Sequence, residues 1–144
     1  MLIEKILENS ESKTFEDAKF EWCVYDYDWK EEGDQCVCGK KHIKHLYTIY
    51  NSKTNSIMNP IGSECIKKFE RNDLSEQMKT ISNKNTIFNN KGKKHDGKTY
   101  GFIYENDPSY IEFLMEKGKK KKYLNLVNYY IHKKNLKKHN LHTQ

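Results

Sequence analysis

Apolar positions recur with two different periods along this chain, and the change of period marks its elements. Leu2, Ile3, Ile6 and Leu7 stand at helical spacing, so residues 1–9 read as a short helix, with a strand as the alternative. Residues 10–18 are polar and read as loop. Phe20, Trp22 and Val24 then alternate with Glu21, Cys23 and Tyr25, a period of two in aromatic and β-branched residues that predicts a strand. Asp26 to Asp34 is acidic, ends beside Gly33 and reads as a solvated loop; its carboxylates lack the spacing of a calcium-binding loop. Ile43, Tyr47 and Ile49 predict a second strand, and Ile57, Met58 and Ile61 a third. The Asn51–Asn55 segment between them has turn chemistry, so a β-hairpin is expected.

Helical signals follow. Ser63 is placed to N-cap a short helix with Cys65 at its second position and Ile66 and Phe69 on one face. Asp73 is placed to cap another, with Leu74, Met78 and Ile81 forming its stripe. Asn83 to Lys94 reads as an exposed linker, and residues 99–104 as a short strand or tight turn. Asp107 with Pro108 opens a helix carrying Tyr110, Ile111 and Leu114 inward, and Gly118 closes it. A last helix carries Tyr123, Leu124, Val127, Tyr130 and Ile131 on one side, with lysines beyond. The expected class is α+β: a small β-hairpin module stapled by a metal (residues 1–86), followed by a basic, mostly helical module (residues 87–144).

Composition changes that picture in two ways. Of the 144 residues, 35% are hydrophobic and 32% charged, and ten are tyrosines. A core this lean benefits from a staple, and small domains often use a metal. Charge is also unevenly placed. Residues 87–144 hold thirteen lysines against five acids, a net +8, whereas residues 1–86 are at −2. That asymmetry points to an anionic partner for the C-terminal half. No apolar run approaches the ~20 residues of a membrane span. Residues 1–9 are too short and too charged for a secretory leader. An intracellular, reducing compartment is expected, and the four cysteines read there as metal ligands or buried thiols rather than disulfides.

Cys36-Val37-Cys38-Gly39 sets two thiols on a turn, and Cys65 follows after a hairpin-length interval at the start of a helix. Thiolates so placed can converge on one Zn²⁺, which as a structural ion takes four ligands. His42 is the first candidate for the fourth, Cys23 the second and His45 the third. Three buried thiols without metal remain the alternative, since C-x-C is less specific than C-x-x-C.

Two resemblances rest on quoted motifs. Cys36-x-Cys38-Gly39, Ile43, Tyr47-x-Ile49-x-Asn51-x-x-Thr54 and Ile61-Gly62-Ser63-x-Cys65-Ile66 resemble, over roughly residues 20–70, a small zinc-binding module recurring in uncharacterised proteins of bacteriophages and large DNA viruses. The resemblance implies a treble-clef-like site and no particular activity; Asn55 stands where relatives tend to have glycine. Over roughly residues 92–115, Gly97-Lys98-Thr99-Tyr100 and Asp107-Pro108-Ser109-Tyr110 are similar to a short module appended to exonucleases and found in phage and viral proteins, where it is taken as a nucleic-acid-associated accessory. Here Lys93 occupies the usual place of that module's first glycine.

No P-loop, dinucleotide fingerprint or clustered carboxylate set for a catalytic metal stands out, so no catalytic role is expected. The leading expectation is a viral or phage zinc-binding protein, in host cytoplasm or virion, that binds nucleic acid. Lys91, Lys93, Lys94, Lys98, Lys119, Lys120, Lys121 and Lys122 would meet phosphates. Gly97 and its neighbours would expose backbone amides to them, with a structural turn packing Tyr100 and Tyr110 as the equal alternative. Tyr100, Tyr104 or Tyr123 would stack on bases. The alternative is a protein-binding accessory of a viral replication, transcription or virion assembly, or an inhibitor of a host defence protein.

Overall fold

The computed structural model describes the backbone of residues 1–141 and the side chains of residues 1–136; residues 142–144 of the expected second module, and the lysines after Leu136, lie outside the described side chains. The architecture mixes a three-stranded antiparallel sheet with helices. α1 (Leu2–Glu8) and α2 (Phe15–Ala18) precede β1 (Trp22–Asp34), β2 (Ile43–Asn51) and β3 (Ile57–Ile61), in the sheet order β1-β2-β3. Then come α3 (Ser63–Lys67), α4 (Asn72–Ile81), α5 (Tyr100–Asn106), α6 (Pro108–Glu116) and α7 (Leu124–Leu141).

The acidic segment expected as a loop is instead the second half of β1. Asp26 pairs with Thr48, Tyr27 with Tyr47, Asp28 with Leu46 and Trp29 with His45. A bulge between Val24 and Asp26 resets the parity, so Trp22 and Val24 on one side of it and Tyr27 on the other all reach the core. The carboxylates fall on the solvent face of an edge strand, where charge is tolerated and blunts edge pairing. Phe20, expected to begin this strand, lies in the 3-10 turn before it and is 65% exposed, with Lys19 and Arg71 over its ring. Its neighbour Glu21 is buried instead.

The outer edge of β1 is capped by later elements. The Val24 amide donates to Gln77 Oε1 (2.8 Å), and Val24 O pairs with His132 Nε2 (2.9 Å). Arg71 donates to Trp22 O and Lys19 O while holding Asp73 in a two-pronged ion pair. Asp73 therefore orients Arg71 and does not cap α4, which begins at Asn72. Leu74, Met78 and Ile81 are buried as their spacing predicts, and one apolar cluster runs from Leu2 and Trp22 through Phe69 and Ile81 to Ile111 and Tyr130.

Of residues 99–104, Tyr100 to Tyr104 are helical and Thr99 is extended. Thr99 caps α5 by accepting from the Phe102 amide (3.0 Å), and Tyr100, Ile103 and Tyr104 lie on its inner side. Gly101 suits this close approach, because a Cβ would lie 3.1 Å from Lys84 O and push it back. Gly118 (φ +73) ends α6 as expected, with the Lys119 amide closing back on Leu114 O (3.0 Å). In α7 Leu126, Val127, Tyr129, Tyr130 and Leu136 are buried, whereas Leu124 and Ile131, expected on the apolar side, are exposed; the helix packs against α4 and α6. No helix among the described residues is long and apolar enough to cross a membrane.

Candidate metal centre and the lysine-rich face

The loop between β1 and β2 is a tight knuckle. The Cys36 amide donates to Lys40 O (2.8 Å), and the Gly39 amide, at φ +101, donates to Cys36 O (2.8 Å). The Val37 amide ties the knuckle to β3 through Pro60 O (3.0 Å), and Lys5 Nζ reaches Val37 O (2.6 Å) from α1. Opposite it, α3 starts at Ser63, with Gly62 rather than Ser63 in the capping position, so Cys65 is the third helical residue and not the second. This brings the sulfurs of Cys36, Cys38 and Cys65 within 4.8 Å of one another. Cys36 Sγ and Cys65 Sγ are 3.7 Å apart, far beyond a disulfide bond.

Electrostatics within the cluster are uneven. The Lys40 amide, and then the Cys65 thiol, hold the Cys38 thiol down at about 7. Burial pushes Cys65 up, and the neighbouring sulfurs add to that. The Gly62 amide donates to Cys36 Sγ (3.3 Å). One negative charge is thus welcome, while three thiolates this close repel unless a cation sits among them.

Beside the thiols lies a cavity of about 200 Å³ lined also by His42 and His45. His42 is exposed and sits at φ +63; Gly33, at φ +77, packs so closely that a Cβ there would lie 3.0 Å from His42 Cα. His45 is engaged elsewhere, its Nδ1 being 2.6 Å from Tyr27 Oη and its ring stacked on the tyrosine. Cys23 is a correction. It pairs with Tyr50, whereas the knuckle adjoins Ile43, seven residues away along β2. At ~3.3 Å per residue that is roughly 23 Å, too far for a shared ion. Its thiol donates to Tyr50 O (3.6 Å), and burial pushes it up to about 11.

The lysines predicted to meet phosphate fall into two groups that the fold sets side by side. Residues 87–99 form a hairpin-like loop: Ile87 bridges Thr99, the Phe88 amide donates to Lys98 O (2.7 Å), and the Gly97 amide donates to Phe88 O (2.9 Å). Its pivot is the buried Asn90, whose Nδ2 reaches Lys94 O (2.7 Å) and Tyr110 Oη (2.9 Å) and whose Oδ1 accepts from Tyr123 Oη (3.0 Å). Tyr123 also meets Phe88 edge-on. The turn carrying Lys119, Lys120, Lys121 and Lys122 is thereby docked against the loop carrying Lys91, Lys93, Lys94 and Lys98.

Three expectations are corrected on this face. The loop amides are not open to phosphate: Asp96 takes those of Asn90 (2.7 Å) and Gly92 (3.3 Å), which hold its carboxyl below the usual range, and the Gly97 amide is spent on Phe88. Lys94 is paired with Asp107 (3.0 Å), which His95 also engages (2.9 Å). Tyr100 is buried against Tyr129, and Tyr104 packs between Tyr129 and Tyr130, so neither ring is presented to a base. Lys98 lies over the Phe102 ring, while Lys91, Lys93 and the 119–122 run are exposed. No protein-family model, curated protein or solved structure matches this chain.

Proposed function

We propose that this is a zinc-stapled protein without a catalytic site that binds nucleic acid through its lysine-rich face. The observation that carries the metal half is the 3.7 Å spacing of Cys36 Sγ and Cys65 Sγ. Two sulfurs each ~2.3 Å from a tetrahedral Zn²⁺ stand ~3.8 Å apart, so the cluster already has the edge length such an ion needs. A donor set of three thiolates and an imidazole favours zinc over harder cations. Cys36, Cys38 and Cys65 would hold the ion, with His42 as the fourth ligand from the adjoining cavity. A knuckle, a hairpin and a helix start supplying the donors fit a treble-clef-like arrangement.

The nucleic-acid half is supported by the docking of two lysine-bearing turns, separate in sequence, onto each other through Asn90, Phe88 and Tyr123. It is tested by the salt dependence of binding to single-stranded DNA and RNA. If Lys91, Lys93 and Lys119–Lys122 each neutralise one phosphate, the log–log slope is about −4, at ~0.7 per contact. Changing the four lysines at 119–122 to glutamine should flatten it to about −1.4 by the same rule and leave metal content unchanged. No retention on any oligonucleotide at low salt would give the lead to a protein partner.

A further inference from the structure

Between the two lysine groups the surface is hollowed, and the hollow is apolar where its surroundings are basic. A groove of about 460 Å³ runs between the 87–89 segment and the start of α7. Phe88 and Tyr123, in edge-to-face contact, line it from below. Ile87 and Leu124 line it as well, yet are 50% and 52% exposed, an unusual outlay of aliphatic surface beside a four-lysine turn. The exposed carboxamides of Asn89 and Asn125 stand at its rim. Lys121, Lys122 and the largely buried Tyr100 complete the lining, and no carboxylate takes part in it.

We infer that this groove holds an unstacked base of a single-stranded nucleic acid, an assignment that rests on the nucleic-acid reading above and gives it a site. A phosphate alone needs no apolar wall, and an apolar side chain alone needs no lysines; a nucleotide needs both. The base's flat face meets Ile87, Leu124 and the Tyr123 edge. Its polar edge meets carboxamides, which both donate and accept. The phosphates on either side meet Lys121 and Lys122. Duplex DNA keeps its bases stacked inside and offers only the charges. Of the tyrosines expected from sequence to stack, Tyr100 and Tyr104 are packed against other tyrosines and only the half-buried Tyr123 lines the groove, so much of the apolar contact passes to two aliphatic residues that the chain leaves uncovered.

The test compares single strands of equal charge, with a more highly charged duplex as control. Oligothymidylate and oligouridylate of about twelve nucleotides, within the range of single-strand site sizes, are titrated by fluorescence anisotropy at low salt against an abasic oligonucleotide of the same length and against the matching duplex. The base-bearing single strands should bind wild-type protein about fivefold tighter than the abasic strand, the lower end of what stacking on an aromatic ring contributes, because only the Tyr123 edge is aromatic here. The thymidylate and uridylate arms separate DNA from RNA. Leu124→Ala and Ile87→Ala, at half-exposed positions, should bring affinity to within about twofold of the abasic strand while leaving the salt slope unaltered. Equal binding of abasic and base-bearing strands by wild-type protein, with the lysine-dependent slope intact, would overturn the groove and leave the nucleic-acid reading standing. Unaltered affinity in both variants would overturn it too. No binding of any oligonucleotide would overturn both. The abasic comparison uses wild-type protein, so a variant that fails to fold does not blunt it.

Discussion

Replacing Glu21 with alanine should destabilise the protein by about 3 kcal/mol at neutral pH, and that penalty should vanish in acid. Glu21 is 4% exposed. Its Oε1 accepts from the Glu11 amide (2.8 Å) and from Asn51 Nδ2 (3.0 Å), and its Oε2 from the Ser12 amide (2.8 Å). Asn51 is fully buried and spends its own oxygen on the Lys53 and Thr54 amides, so the carboxylate fastens the loop after α1 to the hairpin turn. Hydrogen bonds to a charged group contribute ~1.5–3 kcal/mol each, but water can replace the acid at the two amides on the surface segment, which leaves a net of about 2–4 kcal/mol. The depressed acidity of the carboxyl points to the same size. Burial works to raise this carboxyl, but the bonds from Ser12, Glu11 and Asn51 outweigh it and hold it at about 2 against an ordinary 4.5. At ~1.36 kcal/mol per unit that shift is worth roughly 3 kcal/mol. Because the folded value is depressed, the contribution is complete above about pH 4.5 and is lost as pH falls towards about 2. Urea unfolding of wild type and Glu21→Ala across this window is the assay. A gap that stays below about 0.5 kcal/mol near pH 6, or one that does not shrink in acid, would refute the reasoning.

Gly33→Ala should cost about 1–3 kcal/mol, because a Cβ at φ +77 would press on the His42 backbone. Gly39→Ala, equally left-handed but facing open space, should cost less in the same thermal melt. His42→Ala should weaken metal retention in a chelator competition, whereas Cys23→Ser should leave it untouched; the reverse pattern would show that the register argument fails.

The hairpin, the three-cysteine convergence and the buried stripe of α4 were legible because each depends on local spacing. The extent of β1 was not: a bulge shifts its parity, and acids on a solvent-facing edge look like a loop. Phe20 and Glu21 exchanged roles for a reason no alternation shows, since Asn51, thirty residues away, supplies the partner that lets a carboxylate be buried. Tyr100, Ile103 and Tyr104 do stand at helical spacing, but over too few residues to outweigh their strand-forming side chains. Excluding Cys23 required the pairing register, which places Cys23 and Cys36 at opposite ends of one strand pair. The joining of the two lysine groups hangs on Asn90, a polar residue inside a stretch that reads as exposed linker.

The central claim is that three thiols and one ion hold the sheet to α3. A structural zinc in a small domain contributes ~10–16 kcal/mol, comparable to or greater than the ~5–15 kcal/mol net stability of a typical domain. The most direct measurement is native mass spectrometry of the protein before and after exhaustive chelation, with a melting curve on each sample. The account predicts about one zinc per chain, lost together with the folding transition on chelation and absent in Cys38→Ser. A chain that carries no metal as purified, takes up none when zinc is added and melts unchanged would contradict it.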